Sequence, residues 1–342
     1  MNKSILVLIV FALLSGCTTK KKSLKTTVPE SQITIAFGSC NKQNLENFLW
    51  DDIKEANPLL WIWGGDIVYA DTDDVSKIRE LYNAQNKVTG YKKLKKNTQV
   101  IGTWDDHDYG LNDGGSEFVS KRQSQQAFLD FIDVPADHPR RMQEGVYFAY
   151  HYNSDLGKIK ILVLDTRYFR SALTRDTESD KPYKPNPYGQ GTLLGETQWK
   201  WLANELNNSD ADFNLVVSSI QFLSNEHGFE CWGNFPHEVD RFKKLLVDSK
   251  AKGVLILSGD RHISEFSKVE IPGLSYPLID FTSSGLTHAY SDFSGEPNPY
   301  RIGGVISKES FGLVKFNLIT REVILQIVEN DGIVPLELRQ NY

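Results

Sequence analysis

Little cysteine, no long apolar span and no excess of positive charge mark this 342-residue chain, and each shortage excludes something. The three cysteines, Cys17, Cys40 and Cys231, are too few for a disulfide framework. The apolar run from Ile5 to Leu14 falls short of the roughly 20 residues that a bilayer-spanning helix needs, which argues against a permanent transmembrane anchor. Lys plus Arg total 38 against 44 Asp plus Glu, and the net charge of -6 offers no general attraction for nucleic acid or an anionic membrane. No specific nucleic-acid partner is expected. What is present, 40% hydrophobic residues without repeats or low-complexity tracts, suits a globular protein with a sizeable core.

Residues 1–17 read as a leader, because Lys3 precedes the apolar run and Leu14-Ser15-Gly16-Cys17 closes it. That string resembles the bacterial lipoprotein box, which implies cleavage before Cys17 and acylation of its thiol; the alternative is a plain leader peptide. Acyl chains on Cys17 would hold the protein at a membrane of the bacterial cell envelope, outside the cytoplasm. Residues 18–30 are polar and basic with no apolar period and read as a solvated tether, which leaves 31–342 as one domain with no linker inside it. In such an oxidising compartment Cys40 and Cys231 have one pairing open to them, although Cys231 reads better as a partly buried free thiol.

From Ile33 onward short β-branched runs end in small or charged residues. Ile33 to Phe37 precedes Gly38-Ser39-Cys40, Leu59 to Trp63 precedes Gly64-Gly65-Asp66, and Val100 to Thr103 precedes Trp104-Asp105-Asp106-His107-Asp108. Later, Ile161 to Leu164 precedes Asp165-Thr166-Arg167, Leu215 to Val217 precedes Ser218 to Gln221, and Val254 to Leu257 precedes Ser258-Gly259-Asp260-Arg261-His262. Helical periods lie between, over Asn44 to Glu55, Ser116 to Ile132, Gly195 to Leu206 and Pro236 to Ser249. Strands alternating with helices predict an α/β fold with a mixed or parallel sheet covered on both faces, in which ligands collect beyond the carboxyl ends of the strands. Phe311 to Asn317 and Glu322 to Glu329 predict a hairpin at the edge of a second sheet.

Five of these strand ends carry almost nothing but metal-ligand types, with hard oxygen donors outnumbering the single thiol and the imidazoles. Phosphoester hydrolysis needs such sites, since paired cations roughly 3.5–4 Å apart neutralise the phosphoryl oxygens and activate water, and a shared carboxylate keeps them close. Burying the Asp-Asp-His-Asp string without cations would be very costly.

Gly38-Ser39-Cys40, Gly65-Asp66-Ile67-Val68-Tyr69, Trp104 to Asp108, Leu164 to Arg167 and Gly259 to His262 together resemble the alkaline phosphatase D (PhoD-like) metallophosphatases, in order and over most of residues 31–342. The resemblance extends to the calcineurin-like metallophosphoesterase superfamily and implies two stacked mixed sheets flanked by helices. It implies that Cys40 stands where the superfamily has its first Asp-x-His pair, that Asp66 bridges two ions, and that Tyr69 gives a phenolate to the ion of Cys40. It places Asp106 at the Asn ligand position with Asp105 as rival, His107 at the catalytic imidazole, and Asp108 as its orienter or as a ligand. Asn112, with Asp113, falls where members carry further oxygen ligands, sometimes for calcium. Asp260 and His262 occupy the last element, where a carboxylate replaces the usual imidazole and favours a harder ion. Gln221, Trp232 and Arg241 resemble a recurring tryptophan-loop feature.

Arg167 is a candidate to hold two phosphate oxygens, or else pairs with Asp165. Cys40 alone would be a small buried hydrophobe and Tyr69 a core aromatic; their places at strand ends favour the ligand role. His151, His227, His237 and His288 read as surface or core histidines, and Asp71, Asp73 and Asp74 as a solvated face. The expectation is a monomeric phosphomonoesterase or phosphodiesterase holding ferric iron (Fe3+) and calcium (Ca2+) or another divalent ion. The alternatives are a sulfate-ester hydrolase on the same site and a lipid-anchored phosphate- or metal-binding protein without turnover.

Overall fold

The runs that end in small or acidic residues become strands, and side-chain alternation along them divides the interior into layers. The computed structural model describes residues 31–342; the leader, Cys17 and the tether at 18–30 lie outside the described residues. The strands are β1 (Gln32–Gly38), β2 (Leu60–Gly64), β3 (Gln99–Thr103), β4 (Phe148–Ser154), β5 (Gly157–Val163), β6 (Thr174–Arg175), β7 (Tyr183–Lys184), β8 (Phe213–Val217), β9 (Val254–Ser258), β10 (Ser264–Val269), β11 (Leu278–Ser283), β12 (Arg301–Ile306), β13 (Phe311–Asn317), β14 (Glu322–Val328) and β15 (Leu336–Asn341). The helices are α1 (Trp50–Glu55), α2 (Val75–Lys87), α3 (Thr89–Lys95), α4 (Asp106–Tyr109), α5 (Lys121–Phe131), α6 (Gly195–Asn207) and α7 (Pro236–Ser249).

One sheet runs β15-β14-β13-β1-β2-β3 and the other β12-β10-β11-β9-β8-β5-β4. Along β1, Ile33, Ile35 and Phe37 point into a core shared with Ile161 and Val163 of β5, Leu215 and Val217 of β8, and Leu255 and Leu257 of β9. The residues between them point the other way. Ala36, Trp61 and Trp63 pack on Trp50, Tyr82, Tyr91 and Phe128 from the helices over the first sheet. Leu162, Val216 and Ile256 pack on Trp199 and Leu202 of α6 and Phe242 of α7 over the second. The architecture is therefore helix, sheet, sheet, helix, the two stacked mixed sheets that the sequence implies.

The hairpin at residues 311–328 is placed differently from the expectation. Its first strand, β13, pairs antiparallel with β1, so it lies inside the first sheet, and β15 forms the edge. The predicted helix from Asn44 begins only at Trp50, because Leu45 and Phe48 have no apolar face to cover and lie exposed.

Strand direction positions the site. β1, β2 and β3 are parallel in one sheet. β5, β8, β9 and β11 are parallel in the other. Their carboxyl ends lead into the loops that begin at Ser39, Gly65, Trp104, Leu164, Ser218, Gly259 and Ser284, where α/β folds gather ligands.

Candidate metal centre

Four residues of these loops, Cys40, Asp66, Asp260 and His262, have positive φ angles of 57°, 51°, 68° and 54°. Such angles are uncommon outside glycine and turn the side chain back across the strand end instead of along it. The loops then hold one another. The Asn41 amide donates to the Asp66 carbonyl at 2.8 Å, and the Leu286 amide to the Ser39 carbonyl at 3.1 Å. Gly65, at φ 100°, is needed for this closeness, because a Cβ there would lie 2.5 Å from the Asp105 Cβ.

Three overlapping sets of donor atoms result, each within 4.8 Å of one another: Cys40, Asp66 and His262; Asp66, Asp106 and His107; Asp66, Asp105, Asp106 and Asp260. Asp66 belongs to all three. Its Oδ2 accepts from the Cys40 thiol and from the Tyr69 hydroxyl, both at 3.4 Å, and Tyr69 also lies 3.3 Å from His262 Nε2. Ser284 ties the set together, its hydroxyl donating to Cys40 Sγ at 3.1 Å and accepting from the His262 amide at 2.7 Å.

The electrostatics are those of a site short of positive charge. Burial, then the nearby Cys40, Asp106, Asp105 and Asp108, push the Asp66 carboxyl well above its usual range. Burial outweighs the Arg261 guanidinium at Asp260 and pushes it up to about 7. Burial and the charges of Cys40 and Asp66 likewise raise the Tyr69 phenol. Asp66 Oδ1 and Asp105 Oδ2 are buried with no hydrogen-bond partner. Orphaned carboxylate oxygens facing a crowded acidic cluster are what cations satisfy, so the residues present fit a pair of metal ions.

The β3 loop departs from the expectation in three places. Asp108 does not touch His107: its Oδ1 accepts from the Asp105 amide at 2.6 Å and its Oδ2 from the Ile67 amide at 3.2 Å, so it fixes backbone and belongs to none of the donor sets. His107 is instead oriented by Asp71, which was expected on a solvated face; Nδ1 lies 2.8 Å from Asp71 Oδ1. Burial disfavours the imidazolium, but the Asp71 bond and the charge of Asp106 push it up to about 9. Asn112 is exposed and donates to Asp113 at 3.0 Å. Asp106 does sit among them, its Oδ1 and Oδ2 accepting the His107 and Asp113 amides at 2.8 and 2.7 Å.

Arg167 is not available to substrate. Its side chain is wholly buried, its Nε donates to Asp105 Oδ1 at 2.5 Å, and its guanidinium pairs with Glu230. Asp165, the partner weighed for it, accepts the Arg167 and Tyr168 amides and the Trp104 indole. Arg170 shares Glu230 at 2.8 Å. The guanidinium thus acts through Asp105, holding one oxygen so that the other faces the cluster.

Other residues fall outside. Gln221 donates to Glu265 at 2.9 Å, Trp232 packs on Phe222 and Phe242, and Arg241 pairs with Glu196. Cys40 and Cys231 are both buried free thiols. His288, expected on the surface or in the core, belongs to the site: its Nε2 lies 3.0 Å from the Tyr69 hydroxyl and its ring packs edge-on against His262. Burial and the charges of His262 and Lys42 press its pKa down to about 3. The signal was present in the sequence, since Ser284 to His288 follows β11 as the other site loops follow their strands.

The family model described as PhoD-like phosphatase matches residues 35–297. Alkaline phosphatase D of Bacillus subtilis (strain 168) is 24% identical over 277 residues, covering 70% of this chain and 47% of the relative, so the chain spans about half the length of that protein. The solved structure described as PhoD superposes with a TM-score of 0.71 at 18% identity, over 91% of this chain and 68% of the other. GAP50, described as the anchor in the inner membrane complex of Plasmodium, gives a TM-score of 0.56 at 16% identity over 91% and 89% of the two chains. These likenesses establish the fold, and the family match, which spans every strand-end loop from Ser39 to His288, establishes that the chain belongs to the PhoD-like phosphatases.

Proposed function

We propose that this chain is a metal-dependent phosphoesterase acting on phosphate esters in the cell envelope. The observation that carries it is Asp66, a buried carboxylate common to three donor sets with one oxygen still unpartnered. Cys40, Tyr69 and His262 with Asp66 would hold one ion, assigned as ferric iron, and Asp66, Asp105, Asp106 and Asp260 a second, divalent one such as calcium; Asp260, expected beside Cys40, groups with the second set. Such ions supply Lewis-acid stabilisation of the phosphoryl oxygens and an acidified water.

The chain's own residues do the rest. Asp108 and Asp165 fix the loops through backbone amides. Arg167 holds Asp105 in place. His107, with Nδ1 held by Asp71, keeps Nε2 for the proton that the leaving oxygen takes up. The Leu14 to Cys17 string supports acylation of Cys17 and attachment to a membrane outside the cytoplasm.

The test is turnover by a lipid-free form beginning after Cys17, reconstituted with iron and calcium. Nitrophenyl phosphate, bis-nitrophenyl phosphate and nitrophenyl sulfate are compared side by side. Hydrolysis of a phosphate ester but not the sulfate is expected, abolished in Asp66→Asn together with the metal content. No hydrolysis with any metal tried would favour a binding protein instead.

A further inference from the structure

The buried state of Arg167 leaves a chemical gap. A phosphoryl group at the centre presents several oxygens, and cations alone do not orient them all; a positively charged donor at the mouth is the usual complement. The guanidiniums of the strand-end loops are all engaged: Arg167 and Arg170 by Asp105 and Glu230, Arg261 by Glu296. One cation beside the cluster is not. Lys42 pairs with no carboxylate among the described residues, although its neighbour Asn41 is hydrogen-bonded to the Asp66 loop at 2.8 Å.

Lys42 is also fixed in place. It follows Cys40 by two residues, and Asn41 between them is buried, its amide nitrogen donating to the Ile67 carbonyl at 3.0 Å and to Gln85 at 2.9 Å. The Lys42 backbone amide donates to Thr287 Oγ1 at 2.8 Å, Thr287 Oγ1 lies 3.0 Å from His288 Nδ1, and His288 Nε2 lies 3.0 Å from Tyr69. The Lys42 ammonium in turn sits over that same Tyr69 ring, 4.8 Å from its centroid. Root and tip of the side chain are thereby tied to one closed chain of contacts that ends on a residue of the metal centre.

We propose that Lys42 is the phosphate-binding cation of this site, its ammonium donating to a non-bridging oxygen of the bound phosphoryl group in the role that Arg167 cannot fill. This assignment rests on the phosphoesterase function proposed above. An ammonium there is a point charge with three donors on a flexible stem, so it holds an oxygen without imposing the two-pronged geometry of arginine.

The experiment measures inorganic phosphate binding by calorimetry to the metal-loaded protein, wild type, Lys42→Met and Lys42→Arg, with metal content determined for each. Lys42→Met should keep its metal and bind phosphate roughly 10–100-fold more weakly, the value of one hydrogen bond to a charged group. In turnover it should raise KM by a similar factor with the smaller change in kcat, and Lys42→Arg should recover most of the affinity. Phosphate affinity in Lys42→Met within twofold of wild type overturns the assignment, as does a loaded wild-type protein that binds no phosphate. Phosphate binding that depends on Lys42 in a protein that hydrolyses no ester would instead sink the phosphoesterase function and leave Lys42 standing.

Discussion

His107 Nδ1 and Asp71 Oδ1 lie 2.8 Å apart across 36 residues of chain, and the same two segments are joined again where the Ala70 amide donates to the His107 carbonyl at 3.1 Å. The imidazole that the β3 loop offers to the centre is thus oriented from the β2 loop. Asp71→Asn keeps the shape but removes the charge that holds the proton on His107. We expect kcat to fall roughly 10-fold, below the 10²–10⁴ range for loss of the acid itself, with KM and metal content little changed. A fall in metal content equal to the fall in kcat would show that Asp71 serves the ions and not the imidazole.

Arg167 offers a stability test with a sign opposite to that of a surface ion pair. Its guanidinium lies with Asp105 and Glu230 in full burial, so Arg167→Met strands Asp105 without a cation and leaves Glu230 to Arg170 alone. Breaking a buried pair from one side is destabilising by about 3–5 kcal/mol, which thermal or urea unfolding would register as a large loss. Lys at this position should recover little, because one ammonium does not reach both carboxylates as a planar guanidinium does. A Met variant as stable as wild type that had lost only substrate affinity would restore Arg167 to the phosphate.

Which features were legible in the sequence follows from how local their causes are. Cys40, Asp66, Asp106, Asp260 and His262 stand directly at the ends of apolar runs, and strand direction alone brings them to one edge, so a linear reading reached them. His288 stands in a strand-end loop that the reading of β11 passed over, whereas Asp71 and Glu230 lie beyond that immediate position, in loops whose course depends on tertiary contacts such as the 2.8 Å pairing of Asp71 with His107. Arg167 was misjudged for the same reason: the sequence shows an arginine at a strand end but not the burial of Glu230 against it. In the fold, α2 went unforeseen because its mean composition is polar and only Ile78, Tyr82 and Gln85 are buried. The hairpin was recognised from its alternation, while its sheet was not, since alternation is blind to which strand β13 will pair with.

His227 makes acid stability the subject of another test. Burial, then the Arg261 charge, depress its imidazole from 6.5 to about 3, and its Nδ1 accepts from the Phe229 amide at 3.0 Å. A folded-state pKa below the unfolded one means that only the unfolded chain takes the proton between those values. Stability is therefore full above pH 6.5 and is lost as pH falls toward about 3, at up to about 1.4 kcal/mol per pH unit from this residue. His227→Asn keeps an acceptor for the amide and removes the titration. The difference in unfolding free energy between wild type and variant should shift with pH over that window, and a constant difference would refute the role.

The identity of the ion at Cys40 is the sharpest test of the centre. Cys40, Tyr69, Asp66 and His262 converge there, and burial with the neighbouring charges presses the Asp66 carboxyl and the Tyr69 phenol toward their neutral forms. A cation that draws a thiolate, a phenolate and the shared carboxylate to itself balances up to three negative charges, which favours a trivalent ion over a divalent one. Zinc tolerates the thiolate but rarely recruits a phenolate, whereas ferric iron is stabilised by both and acquires a ligand-to-metal charge-transfer band from them. The purified protein should therefore be coloured, with about one iron per chain by elemental analysis and a divalent ion beside it. Tyr69→Phe should shift the visible band and Cys40→Ser should weaken it greatly, since each removes one of the two donors from which the transition arises. His288 adds a control, because its Nε2 lies 3.0 Å from the Tyr69 oxygen and not among the donor sets. His288→Ala should move the band less than Tyr69→Phe while leaving the iron in place. A colourless and fully active preparation holding only zinc or manganese would refute the ferric assignment and leave phosphoester hydrolysis to be judged on the turnover assay.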